Sequence, residues 1–204
     1  MEKGHLLNLR EMVCGIGNQL RYVIRYATSR RHHHENVAEH QFFTAFFTLI
    51  IGLHLDYKDK FDIGTAVIRA LIHDVEEHYT GDIIRPVKHK SKNVVQSINK
   101  TGYEFCLKFF TSITQYSSAA HKLFAQWEHA KDGTIEGRIV KFADFLSVIS
   151  YLNQEIRSGN SLAMENVTEL KQYVKMFHHK KFKFLYPLVN HAEQMVDDLY
   201  IRRK

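Results

Sequence analysis

The stretch RIVKFADFLSVISYL, Arg138 to Leu152, constrains the fold more than any other. Ile139, Val140, Phe142, Phe145, Leu146 and Val148 surround a single carboxylate, Asp144. The pattern predicts a helix buried over most of its surface. A lone buried carboxylate is costly, so a chain that folds this way must bring a cation to Asp144.

The rest of the chain reads as further helices. Leu6 to about Ala27 has apolar residues at helical spacing, and TSRRHHHE after it is a polar loop. Asn36 is a suitable N-cap for a second helix running to about Leu55. DYKDKFD is a turn, and Asp62 caps a third helix ending near Glu77. YTGDIIRPVK, with Gly81 and Pro86, is a loop. Helices follow over Lys92–Phe110 and Ser117–His129. Thr134 caps another that runs to Arg157 and ends at Gly159 and Asn160. Leu162–Phe177 and Phe184–Arg202 complete the set. No segment has a convincing period of two, so the expected class is all-α. The 204 residues, with no repeat or low-complexity linker, predict a single domain over 1–204. Its motif core covers about 6–159 and its C-terminal helices 160–204.

Two cysteines, Cys14 and Cys106, make no CxxC pair and argue against a disulfide framework. The N-terminus has no apolar signal core with a cleavage site. The most apolar run, FFTAFFTLIIGLHL, is too short to span a bilayer and reads as a buried helix. The expectation is a cytoplasmic protein with no membrane partner. The formal net charge of +6 suits an anionic partner, or serves solubility alone. Basic residues cluster in RYATSRRHHH and RPVKHKSK, which flank the segments described next, and in HHKKFKF, which does not.

ALIHDVEEHYTGD, Ala70 to Asp82, crowds His73, Asp74, Glu76, Glu77 and His78 together behind an apolar lead-in. His40 lies where the polar loop meets the apolar second helix. His40, His73, Asp74 and Asp144 come from three helices and could make one mononuclear site. Two carboxylates would neutralise a divalent ion, and two octahedral positions would stay open for water and a substrate oxygen. Mixed N/O ligation suits Mn, Fe, Co or Ni, or Mg, and the lack of thiolates argues against structural zinc. Taken singly, the residues have plainer readings. His40 could be a helix-end polar residue, Asp74 could pair with a nearby lysine or arginine, and Asp144 could answer Lys141.

ENVAEH, IHDVEEHYTGDIIRPVK and KFADFLSVISYLNQEIRSGN, in this order and spacing, resemble the three signatures of HD-domain phosphohydrolases, and most of all the YfbR-like 5′-deoxynucleotidase group. The likeness covers about Leu6 to Gly159. It implies a helical HD-domain bundle that hydrolyses deoxynucleotides with one divalent metal ion. His40, His73, Asp74 and Asp144 would be its ligands and Glu77 its catalytic carboxylate. Arg25 and Lys88 would bind phosphate, and Asp82 would contact the deoxyribose. Where the family has Trp beside the sugar, this chain has Tyr26. The resemblance also implies a homo-oligomer.

Two substrates compete within this reading. A 5′-deoxynucleotidase converts a dNMP and water to a deoxynucleoside and phosphate. A dNTP triphosphohydrolase, as in similar phage HD proteins acting on dATP, releases triphosphate, and Arg30, Arg31 and His32 to His34 could favour the longer chain. The length and motif match favour the monophosphatase. A reading from another class is a non-catalytic basic module for RNA or DNA. It is disfavoured because every ligand position is intact and no RNA-binding signature is present.

Overall fold

The first long helix starts where the sequence says it should. In the computed structural model, which describes residues 8–55, 60–88, 90–114 and 117–201, Asn36 accepts from the Glu39 backbone N–H, and the Glu39 side chain accepts from the Asn36 N–H. Such a reciprocal cap contributes about 1 kcal/mol and sets the helix register. In chain order the helices are α1 (Leu9–Cys14), α2 (Ile16–Gln19), α3 (Val37–His54), α4 (Ile63–Ile72), α5 (Glu77–Thr80), α6 (Arg85–Lys88), α7 (Lys92–Thr114), α8 (Ser117–Glu128), α9 (Ile135–Arg157), α10 (Ala163–Val174) and α11 (Tyr186–Ile201). The described residues contain no strand, only an isolated bridge between Ile24 and Asn36. The class is all-α.

Three expectations change in detail. The first helix is not continuous to Ala27. It breaks at Gly15, and the chain is extended by Val23. The extended stretch is held by a tertiary pairing: Arg25 N–H donates to Glu35 O, and Val37 N–H to Val23 O. Leu6 and Leu7 lie outside the described residues, as do residues 56–59 of the expected turn. The third helix stops at Ile72 rather than near Glu77, and residues 73–76 continue as tight turns. The loop after Gly81 contains the single turn α6.

Helix α9 is the centre. Phe142, Phe145, Ile149 and Leu152 are buried against Val167 and Leu170 of α10 and Val189 and Val196 of α11. Each such side chain contributes about 1.5–3 kcal/mol by leaving water. A second cluster joins Leu20, Val37 and Val75 to Cys106, Phe109 and Phe110 of α7 and to Phe124 of α8. Between them, Ala45 of α3, Ala66 and Ala70 of α4 and Val140 of α9 pack together. These small residues let three helices approach closely, and the candidate site lies at that crossing.

Candidate active site

Each member of the expected constellation is delivered by a different local device. The Asn36 cap puts His40 one turn into α3 on its buried face, with no exposure. The end of α4 at Ile72 turns His73 and Asp74 inward. The His73 Nδ1–H donates to Ala70 O at 2.7 Å. That bond leaves the His73 Nε2 lone pair free to face the interior. Asp144 enters from the middle of α9.

The four converge. Asp74 Oδ2 lies 2.9 Å from His73 Nε2 and 3.7 Å from His40 Nε2. Asp144 Oδ1 lies 3.0 Å from His40 Nε2. One ligand atom each from His40, His73 and Asp74 fits within 4.8 Å of the others. Asp144 stands at the edge of this triad, joined through His40. Cis ligands on an ion at about 2.1 Å sit roughly 3 Å apart, so the spacing fits a divalent cation. The Nε2 atoms of His40 and His73 are buried and have no hydrogen-bond partner among the described residues. An orphaned pair of imidazole nitrogens facing carboxylates is the signature of a site for a cation.

Electrostatics agree. Burial and the neighbouring Arg25 lower the His40 pKa to about 4, so its ring is neutral. Its Nδ1 has Arg25 Nη1 at 2.8 Å and Ser147 Oγ at 3.0 Å. Only the serine can accept from it, so a His40 that offers Nε2 to a cation donates Nδ1–H to Ser147. Burial pushes both aspartates upward, but their contacts with the imidazoles and the Lys131 ammonium outweigh it and hold both well below the usual carboxylate range.

The crowded segment now divides by direction. Glu77 is buried and faces the cavity, and its Oε2 has no partner among the described residues. Burial, with Asp74 and Asp82 nearby, pushes its pKa well above the carboxylate range. Glu76 points away and accepts from Trp127 Nε1 at 2.8 Å. His78 packs on Tyr79.

Arg25, Tyr26, Asp82 and Lys88 line the same cavity, of about 490 Å³, with Asp74, Glu77 and Asp144. Arg25 is buried and gives one nitrogen, Nη1, to Glu35. Tyr26 has φ 54°, which places its backbone in the left-handed region. Its N–H donates to Asp82 Oδ2 at 2.7 Å. Its ring stacks on Tyr151 with centroids 5.0 Å apart and planes 2° apart.

The basic run Arg30 to His34 does not line the cavity. Arg31 bonds to Tyr26 O, and the His32 ring to Ser158. The backbone N–H groups of His32 and His33 donate to the Glu155 carboxylate, Tyr151 Oη donates to His33 O, and Asn160 Nδ2 to Arg30 O. Sequence reasoning missed this anchor, and it missed Lys131, whose ammonium lies 2.8 Å from Asp144 Oδ2 and 3.5 Å from Asp74 Oδ1. It also missed the part of the cavity wall that Asn166, Glu169 and Tyr173 of α10 supply.

Comparison with known proteins gives a consistent result. A family model described as 5′-deoxynucleotidase YfbR-like matches residues 14–191. The protein 5′-deoxynucleotidase PM0747 of Pasteurella multocida (strain Pm70) is 23% identical over 172 residues, which cover 82% of this chain and 86% of that protein. The PH0347 protein of Pyrococcus horikoshii OT3 superposes with a TM-score of 0.72 at 19% identity, covering 92% of this chain and 99% of the other. An HD-domain phosphohydrolase of Listeria innocua, lin2634, gives 0.70 at 17% identity, covering 94% and 98%.

Proposed function

The chain belongs to the YfbR-like 5′-deoxynucleotidase family, and from that premise we infer that the four-residue centre serves a divalent-metal-dependent phosphohydrolase of deoxynucleotides. The reaction is hydrolysis of a dNMP to a deoxynucleoside and phosphate. The observation that carries it is the pair of orphaned imidazole nitrogens facing two carboxylates in a cavity also lined by Arg25 and Lys88. The triphosphate alternative loses its main support, because Arg30 to His34 are not among the residues that line the cavity. A nucleic-acid module would need no such centre.

In this reading His40, His73, Asp74 and Asp144 hold one ion, whose identity among Mn, Co, Fe, Ni and Mg is open. When bound, it polarises a phosphoryl oxygen and lowers the pKa of water. Glu35 steadies Arg25 through Nη1, which leaves the other guanidinium nitrogens for phosphate. Lys88 adds a point charge. Glu77, biased toward holding a proton, hands it to the 5′-oxygen as the P–O bond breaks. Asp82 keeps one oxygen on the Tyr26 N–H and offers the other to a deoxyribose hydroxyl.

Tyr26 limits the sugar. Its ring is backed by Tyr151 and cannot easily recede, yet it fills less space than Trp. Steric exclusion by one wall changes selectivity by about 1–3 kcal/mol. A panel of dNMPs and NMPs, assayed for released phosphate with EDTA and metal add-back, is the test. The expected result is turnover of dNMPs that EDTA stops and a divalent ion restores, with NMPs slower by roughly 10–200-fold. Turnover of dNTPs alone, or turnover indifferent to EDTA, would overturn the reading.

The same proposal covers the whole chain as one domain, since the core around α9 runs from Ile51 to Leu199. The two cysteines are free, Cys14 exposed and Cys106 buried, which fits the cytoplasm. No described helix is long and apolar enough to cross a membrane. The chain is also proposed to self-associate. Phe42, Phe43, Phe46, Leu49, Ile50 and Leu53 lie exposed along one face of α3, continued by Ile68 and Leu71 of α4. Their exposed parts amount to roughly 800 Å², about one partner's share of a standard interface. A second copy presents the same uncharged face, as a two-fold pair requires. Light scattering should give a dimer for the wild type and a monomer for Phe46→Glu. A monomeric wild type at micromolar concentration would remove the proposal.

A further inference from the structure

We propose that Lys131 is the resident counter-cation of the metal centre: a positioning residue that holds the two ligand carboxylates in place before an ion arrives and leaves the loaded centre with a net positive charge. The proposal rests on the metal-dependent reading above and deepens it.

The geometry divides each carboxylate between two cations. Asp74 turns Oδ2 to the imidazoles and Oδ1 to Lys131. Asp144 turns Oδ1 to His40 and Oδ2 to Lys131. The ammonium therefore meets the oxygens that the imidazole cluster does not use. It need not leave for an ion to enter beside the imidazoles.

The lysine is held in place by the turn that carries it. Asp132, its neighbour, accepts from Thr134 N–H at 2.8 Å and from Thr134 Oγ1–H. Arg69 Nη1 lies 3.5 Å from the same carboxylate, and Arg69 also donates to Gln126 and Thr134. A Cβ at Gly137 would come within 2.4 Å of Asp132 Oδ1, so only glycine lets the first turn of α9 pass this close. A lysine on a loose loop would lose both backbone and side-chain entropy in reaching two carboxylates. Here the backbone part of that cost is met by the turn.

Two consequences follow from the charges. Without an ion, Asp74 and Asp144 would repel each other across a buried centre, and Lys131 is the group placed between their outer oxygens. With an ion, two carboxylates, one divalent cation and one ammonium sum to a single positive charge. The ion is then held less tightly than the same ligands alone would hold it, and a phosphate dianion is held more tightly. Lys131 also lines the cavity, so its charge is felt there directly.

The test uses Lys131→Met and Lys131→Arg on the full chain after EDTA dialysis, with Mn²⁺ and inorganic phosphate as probes. In Lys131→Met the Kd for Mn²⁺ should fall roughly tenfold, as expected when a like charge a few ångströms away is removed. The Tm of the metal-free protein should drop, and saturating Mn²⁺ should close the gap to wild type. Phosphate affinity of the Mn²⁺-saturated variant should weaken by roughly tenfold. Lys131→Arg should restore all three toward wild type. A Mn²⁺ affinity that is unchanged or weaker in Lys131→Met would overturn the proposal. So would a Tm loss that persists in saturating Mn²⁺, since that marks ordinary packing. A wild type that takes up Mn²⁺ beside an unchanged variant defeats only the role of Lys131. A wild type that takes up none defeats the metal centre as well.

Discussion

Asp74→Asn is expected to remove bound metal and turnover together. Asp74 Oδ2 is the atom that meets both His73 and His40. The amide keeps the shape and loses the charge. An ion facing one carboxylate in place of two is under-neutralised in a buried setting, and its hold on a phosphoryl oxygen weakens with it. Loss of a residue that merely supports a ligand costs about 10–100-fold in metal affinity. Loss of the ligand itself should exceed that, with activity down on the order of 10³-fold. Elemental analysis of the purified variant, beside phosphate release from dNMPs, measures both. Full metal content with full activity would take Asp74 out of the centre.

Glu77→Gln should separate chemistry from metal binding. Glu77 faces the cavity but is not one of the group formed by His40, His73 and Asp74. Its carboxyl is pushed toward the protonated form by burial, Asp74 and Asp82. A positioned acid or base contributes roughly 10²–10⁴-fold to kcat, and the amide can neither give nor take that proton. The expected variant is fully metallated and slow by that factor. It should also melt no lower than wild type. A neutral amide relieves the conflict with two nearby aspartates, the usual trade between an active-site group and stability. Metal lost along with activity would make Glu77 a ligand instead.

What the sequence makes legible here is local or matched to a family pattern. Asn36, Asp62 and Thr134 announce helix starts because a cap bonds within three residues of itself, and all three do so. His40, His73, Asp74 and Asp144 are legible as a set only through the order of the three motifs, since each alone has a plainer reading. The end of helical structure before Val23 was hidden, because the extended stretch there depends on residues 23–25 pairing with 35–37. Lys131 was hidden for a different reason. A lysine in the turn AKDGT looks like any solvated charge, and nothing nearby in the chain says that two carboxylates lie across from it. Glu155 likewise reads as a surface residue near a helix end. Its partners, His32 and His33, are more than a hundred positions away.

That buried Glu155 makes one side of the pocket firmer than the other. It ties the strap that carries Arg25 and Tyr26 to the tail of α9, and Tyr151 and Asn160 add further stitches. Lifting the strap would break both backbone N–H bonds to a carboxylate that is 1% exposed, at a cost of about 3–6 kcal/mol. The opposite wall, Asp82 to Lys88, meets the strap through the bond from Tyr26 N–H to Asp82. Breaking one bond at a half-buried loop costs about 0.5–3 kcal/mol. Of the two walls, the one that follows Gly81, whose φ of 68° lies in the left-handed region, is the less firmly tied. Arg25 sits on the firmer wall, with its own backbone N–H donating to Glu35 O.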